Sequence, residues 1–170
     1  VVANSSGKAR DAAELLDIEY EPLEPVTDTW EAAQSSAPLV WDQTKSNVCV
    51  DAEVGEPDDV KIIFEKAFHV VRLKTSLARI TGVPMEPRSV FGIYNPKNES
   101  YTVYAGSGGV VRQRRELAYV LGVEQENVRV IAGDVGGNFG TRNPLYVEIP
   151  LIAWAAKKVG RPVKWTGDRT

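Results

Sequence analysis

Asp134-Val135-Gly136-Gly137-Asn138-Phe139-Gly140-Thr141-Arg142-Asn143-Pro144 is the stretch of this sequence with the most chemistry in it. A β-like run over residues 127–132 leads in, and an apolar run over residues 145–159 leads out. Three glycines in five residues (Gly136, Gly137 and Gly140) let a backbone approach a ligand closely, or take φ > 0 without steric cost. A glycine turn from strand to helix points backbone N–H groups outward, which suits an anionic or oxo ligand. A tight turn without a ligand accounts for the same residues. The spacing is wrong for the dinucleotide fingerprint G-x-G-x-x-G, and no lysine follows as in a P-loop, so a nicotinamide or ATP enzyme is disfavoured.

Three further constellations stand out. Gly106-Ser107-Gly108-Gly109 is a second glycine turn between a strand and a helix. Two such turns place two backbone loops at one ligand, or are two unrelated turns. Arg112, Arg114 and Arg115 lie on the first turns of the helix that follows. Arg114 falls within an apolar stripe, so it needs an acidic partner or lies at the stripe's edge; contact with an anionic cofactor tail is the sharper alternative to a solvated, ion-paired face. In Pro84-Met85-Glu86-Pro87 two prolines hold a short segment extended, and Glu86 reads either as a base or as a structural carboxylate bonded to nearby backbone N–H groups. His69 is the only histidine and Cys49 the only cysteine. They leave no Ser/His/Asp set, no thiolate-rich metal site and no internal disulfide. His69 is expected to be structural, and Cys49 a small half-buried apolar residue.

The elements that must position these residues follow from periodicity and punctuation. Residues 7–16 read as a short helix and Ile18-Glu19-Tyr20 as a strand stopped at Pro22. Residues 21–57 carry Pro22, Pro25, Pro38 and Pro57, and read as an extended linker with a short helix at 29–34. A helix from Pro57 to Lys66 is favoured by Asp58 and Asp59 in its first turn. Residues 70–75 alternate like a strand, and 90–94 with 101–105 form a hairpin. Residues 110–121 read as a helix with Val110, Leu117 and Leu121 on one face, Val111 and Ala118 beside them, and Gly122 as its stop. Strands follow at 128–131 and 163–165, separated by a helix that is apolar almost all round and therefore expected to be buried. Pro150 means that this helix either kinks or begins near that residue.

With 170 residues, 43% hydrophobic, and a net charge of −3, the chain fits one domain or one domain plus pieces of another. Mild acidity argues against a nucleic-acid or membrane-surface protein, and no apolar run is long enough for a membrane-spanning helix. The single cysteine is consistent with a reducing compartment, so a cytoplasmic location is expected. The only methionine is Met85, and the sequence reads as a portion of something longer.

Pro84-Met85-Glu86-Pro87-Arg88, Tyr104-Ala105-Gly106-Ser107-Gly108-Gly109-Val110, Leu121-Gly122-Val123 and Asp134-Val135-Gly136-Gly137-Asn138-Phe139-Gly140 resemble, in order and in register, the large molybdopterin subunit of the molybdenum hydroxylases. That superfamily comprises xanthine oxidase, aldehyde oxidase and aerobic carbon monoxide dehydrogenase. Residues 9–23 resemble the end of that subunit's first domain, and residues 153–165 also fit. The Gly-Asn-Phe variant looks closest to the carbon monoxide dehydrogenase large-chain-like branch. The resemblance implies an α+β chain: the end of an α/β hammerhead-like domain (1–24), an interdomain linker (25–57), and the first part of the α+β molybdopterin-binding domain (58–170). It implies cofactor contacts at Gly108, Gly109, Gly137, Asn138, Phe139 and Gly140. The backbone of Phe139 would lie near the molybdenum's oxygen ligands, without a side-chain ligand to the metal. No catalytic side chain is assigned within the chain.

The implied cofactor is molybdopterin with molybdenum, in the plain or cytosine dinucleotide form, with iron–sulfur clusters and FAD on partner subunits. The implied reaction is oxidative hydroxylation of an aldehyde, a heteroaromatic or carbon monoxide, with water as the oxygen source. Two departures from the family pattern stand out. Gly108 occupies the place of a glutamine that approaches the metal in many members, and Gln113, five residues on, is not its substitute. Asn143 occupies the place of a glutamate that recognises purines, which makes xanthine an unexpected substrate. The glutamate base and the remaining pterin contacts of the family belong to later segments, so this chain alone is expected to be inactive. The alternative function is a non-catalytic docking fragment for subunit assembly; a weaker one is an independent small-molecule-binding domain.

Overall fold

A computed structural model describes residues 1–77 and 80–168. The chain divides into two units, Val1–Glu14 with Ala78–Thr170, and Leu15–Leu77.

The first unit is built on a four-stranded mixed sheet in the order β3-β2-β1-β4. Strands β1 (Ser89–Asn95) and β2 (Ser100–Ala105) form the expected hairpin, antiparallel with Val90 opposite Ala105. The polar turn between them puts Glu99 at φ 52°. Strand β4 (Val163–Thr166) pairs antiparallel with β1, and β3 (Val128–Ile131) pairs parallel with β2. Three α-helices belong to this unit among the described residues: α1 (Ser6–Glu14), α4 (Val110–Leu121) and α5 (Glu148–Val159). The inward residues Val90, Tyr101, Val103 and Val128 pack with Leu117 of α4 and with Ile149 and Ala153 of α5.

Helix α4 has the expected bounds, and Gly122 ends it in the left-handed conformation at φ 66°. Its buried face differs in one respect from the expected one. Gln113, Leu117 and Ala118 are buried, whereas Val111 is 80% exposed. Val111 lies two turns before Ala118 on the same side of the helix, but it stands in the first turn, where nothing covers it. Helix α5 resolves the ambiguity at Pro150, since it starts at Glu148. Pro150 therefore sits in the first turn, where backbone N–H groups have no intrahelical acceptor and its missing N–H breaks nothing. The helix is not buried all round: Leu151 and Trp154 are half-exposed.

Close approach of α5 to the sheet depends on Gly92. A Cβ there would lie 3.1 Å from the Ile152 carbonyl oxygen and 3.2 Å from Ile152 Cγ2. Helix backbone cannot yield as a side-chain tip would. Gly92→Ala is expected to cost about 1–3 kcal/mol, read as a lower urea midpoint at unchanged m-value.

The second unit holds α2 (Thr29–Ala32), capped by the Asp28 carboxylate, and α3 (Pro57–Lys66), with Pro57 at its start. Lys74 Nζ lies 4.2 Å from the centroid of the Trp30 ring. Two expected strands are absent among the described residues. Ile18–Tyr20 and 70–75 join no ladder; Tyr20 is 82% and Leu73 87% exposed. Alternation favours any half-covered extended surface, and a strand needs a partner as well as a pattern. Cys49 is exposed where a half-buried position was expected, and the His69 side chain is exposed too.

Candidate functional site

Topology brings the two glycine loops together. Strands β2 and β3 run parallel, with Tyr104 beside Ile131, and a parallel neighbour joined through a helix leaves the sheet at the same end. The 106–109 loop follows β2, and the loop that opens at Ala132 follows β3. Strand β1 is antiparallel to β2, so the Pro84–Pro87 segment that precedes it reaches the same edge. Ligand crevices of open sheets lie beyond such carboxyl ends.

Arg142 ties the three segments. Its side chain is 4% exposed, and its Nη1 lies 3.2 Å from Glu86 Oε2. Its Nη2 donates to the Glu86 carbonyl oxygen. The same Glu86 Oε2 accepts from Gly136 N at 2.8 Å. Glu86 is thus a structural carboxylate bonded to a backbone N–H and to a buried guanidinium. The Arg142 carbonyl accepts from Gly108 N at 3.1 Å and from the buried Gln113 Nε2 at 3.4 Å.

Asn138 organises the turn itself. Its Oδ1 accepts from Arg142 N at 3.0 Å, its Nδ2 donates to Asn143 Oδ1 at 3.1 Å, and its carbonyl accepts from Thr141 N at 2.9 Å. Gly108 sits under this asparagine pair. A Cβ there would stand 2.0 Å from Asn143 Oδ1 and 2.2 Å from Asn138 Nδ2. Gly108 and Asn143 are therefore neighbours in space.

The N–H groups at the turn divide into spent and unspent. Gly108 N donates to Arg142 O, and Gly109 N to Ser107 Oγ at 2.9 Å. The N–H groups of Gly137, Asn138, Phe139 and Gly140 donate to nothing among the described residues. Gly137 has φ 108°, Gly140 φ 80°, and Phe139, a residue with a Cβ, φ 50°. The left-handed conformation costs a non-glycine residue about 1–2 kcal/mol, so the surrounding bonds hold Phe139 in it. Phe139 is 77% exposed, and open space lies where a Cβ would stand on Gly140 or Gly109. Four unspent amides on an exposed, positively dipolar turn fit an anionic oxo group. Among the described residues no group of three or more His, Cys, Asp or Glu side chains could hold a metal ion directly.

Two of the α4 arginines, Arg112 and Arg114, have local partners. Arg114 Nε donates to the Gln125 carbonyl at 2.8 Å, which places it at the edge of the apolar stripe. Arg112 Nε donates to Glu116 Oε1 at 2.6 Å, and Glu116 Oε2 accepts from Leu145 N at 3.2 Å, linking α4 to the exit of the loop. The hydrogen bond from Arg112, with its charge, holds the Glu116 carboxyl below its ordinary value against the opposing effect of desolvation. A folded pKa below the unfolded one gives stability that is present above the unfolded value and lost as pH falls through the folded one. Glu116→Gln is therefore expected to melt below the parent at pH 7. The gap in Tm should close as pH falls below about 4.5.

The profile of the molybdopterin cofactor-binding domain matches residues 40–170. The 6-hydroxypseudooxynicotine dehydrogenase complex subunit gamma of Paenarthrobacter nicotinovorans is 37% identical over 95% of this chain and 20% of its own length. The carbon monoxide dehydrogenase large chain of Afipia carboxidovorans is 26% identical over 99% of this chain and 22% of its own. The crystal structure of quinoline 2-oxidoreductase from Pseudomonas putida 86 superposes with a TM-score of 0.84 at 30% identity, over 98% of this chain and 21% of that one. The chain thus spans about a fifth of the length of the relatives it matches. No described helix is long and apolar enough to cross a membrane. The chain belongs to the molybdopterin cofactor-binding domain family, the family of the molybdenum hydroxylase large subunits.

Proposed function

We propose that this chain is the part of a molybdenum hydroxylase large subunit that offers the backbone of Gly137, Asn138, Phe139 and Gly140, flanked by Gly108 and Gly109, to the molybdopterin cofactor. The four unspent N–H groups carry the reading. Fixed amide dipoles stabilise charge on a metal–oxo unit without reorganising when that charge changes. When bound, the cofactor supplies the redox and oxygen-transfer chemistry, and the chain's own residues orient it. Gly108 and Gly109 act as close-approach backbone, since both of their N–H groups are already spent.

The parent reaction is oxidative hydroxylation with oxygen from water. Electrons pass to iron–sulfur clusters and FAD on partner subunits, and the pterin is in the plain or cytosine dinucleotide form. A heteroaromatic substrate is favoured over an aldehyde or carbon monoxide by the likeness to quinoline 2-oxidoreductase, at 30% identity. The organisation is the end of a first domain (1–24), a linker (25–57) and the opening of the cofactor domain (58–170), completed by the rest of the large subunit in the cytoplasm.

Gly140→Ala in the full-length protein tests the loop. Its Cβ would enter open space, so the fold bears only the φ 80° strain, about 1–2 kcal/mol. Molybdenum per large subunit, measured by mass spectrometry of the metal, is expected near one in the parent and at least tenfold lower in the variant. A parent free of molybdenum would overturn the reading.

A docking role is the second reading, favoured by exposed large apolar residues in the Leu15–Leu77 unit such as Phe68, Leu73 and Trp41. It predicts subunit assembly without molybdenum and without dye reduction by quinoline or an aldehyde.

A further inference from the structure

The backbone at position 139 suits glycine, yet the residue is phenylalanine. It stands between Gly137 and Gly140, which also have positive φ, and its own φ is 50°. A glycine takes that conformation freely, whereas a residue with a Cβ is strained in it. Burial does not offset the strain, because Phe139 is 77% exposed. Exposure by itself is ordinary: Tyr119 is more exposed still, but it stands in the regular helix α4. Glu99, the other non-glycine residue with positive φ among the described residues, is charged and at home in a solvated turn. Phe139 alone of these combines a strained backbone with an open aromatic ring.

The ring is seated on glycine. A Cβ on Gly137 would lie 3.2 Å from Phe139 Cε2, and one on Gly82 would lie 2.7 Å from Phe139 Cβ. The ring edge therefore lies against Gly137, whose N–H is unspent, and the rest of the ring stands open.

We propose that the Phe139 side chain is a substrate-binding surface, whose open face stacks on the flat ring of a heteroaromatic substrate. The inference rests on the proposed role of the loop: the N–H groups of Phe139 and Gly140 are among those offered to the cofactor, so the ring borders the place where substrate is oxidised. A heteroaromatic carbon must be held there in one orientation, and an offset stack on a neighbouring ring supplies that orientation. A glycine at 139 would present the same amides without strain, but it would leave the substrate no face to lie on.

The test uses the full-length protein with its partner subunits, and quinoline as the probe. Equilibrium dialysis reads the quinoline Kd, mass spectrometry reads molybdenum per large subunit, and a thermal melt reads the fold. Phe139→Leu keeps apolar bulk and loses the aromatic face; it is expected to bind quinoline about three- to tenfold more weakly at unchanged molybdenum content. Phe139→Tyr keeps the face and is expected to bind within about twofold of the parent. Phe139→Gly relieves the strain and uncovers no core, so it is expected to melt no lower than the parent. Equal quinoline affinity of Phe139→Leu and the parent overturns the proposal, as does a parent that holds molybdenum yet does not bind quinoline. Loss of molybdenum from Phe139→Leu would assign the ring to the cofactor, and a lower Tm of Phe139→Gly would assign it to packing; either overturns the substrate role. A parent free of molybdenum is a separate result, which removes the reading of the loop and this inference with it.

Discussion

Arg142→Ala is expected to cost the protein about 3–5 kcal/mol, the range for removing one partner of a buried pair. The guanidinium is 4% exposed and meets both the carboxylate and the carbonyl of Glu86. Without it, the Glu86 carboxylate keeps only Gly136 N as a donor among the described residues, and a void opens beside Gly106, where a Cβ would stand 2.5 Å from Arg142 Nη1. Arg142→Lys is expected to recover less than half of that loss. An ammonium is a point charge and cannot reach the carboxylate and the carbonyl together as a planar fork does. Equilibrium unfolding in guanidinium chloride reads both variants. Equal stability of Arg142→Ala and the parent would mean that the three segments hold together without this arginine. Glu86→Gln is the softer control, because an amide oxygen can still accept from Gly136 N.

Much of this frame is legible in the residues, and what is not has identifiable causes. The bounds of α4, with Gly122 as its stop, follow from periodicity and one glycine. The β1–β2 hairpin follows from two β-rich runs around a polar turn. Neighbouring glycine loops are legible in principle, because a strand, helix and strand in series is a parallel crossover whose two strands end at the same edge. Ile18–Tyr20 and 70–75 fail as strands because alternation describes a face and carries no information about a partner. The Glu86–Arg142 pair is beyond local reading altogether. Arg112, Arg114, Arg115 and Arg142 are all candidates for Glu86, and 56 residues separate the pair that forms. Only the sheet decides between them: the same strand pairing that gathers the glycine loops brings Pro84–Pro87 to Arg142 and leaves Arg112 to Glu116 and Arg114 to Gln125. Four unspent amides are likewise invisible in a sequence, since the letters Gly-Asn-Phe-Gly fit a turn that bonds to itself as well as one that does not.

Gly108→Ala is the second large effect, and it separates local fit from backbone strain. Nothing about the Gly108 backbone demands glycine through a positive φ. The demand comes from Asn143 Oδ1 and Asn138 Nδ2, 2.0 and 2.2 Å from where the Cβ would be. Asparagine tips can ordinarily move aside, but these two bond each other, and Asn138 Oδ1 also accepts from Arg142 N. Moving one breaks the turn that holds Phe139, so a cost of about 1–3 kcal/mol is expected for a single added methyl group. Asn143→Ala alone removes an exposed bond and is expected to cost under about 1 kcal/mol. In the double variant the Asn143 side chain is gone, Asn138 is free to swing into its space, and most of the Gly108→Ala loss should be recovered. A coupling of at least ~1 kcal/mol in the double-mutant cycle is the expected result. Strict additivity would mean that the loop tolerates a side chain at 108 by some other movement. The cycle then carries over to loading: if crowding by the asparagine pair is what keeps position 108 a glycine, Gly108→Gln should retain molybdenum only in the Asn143→Ala background.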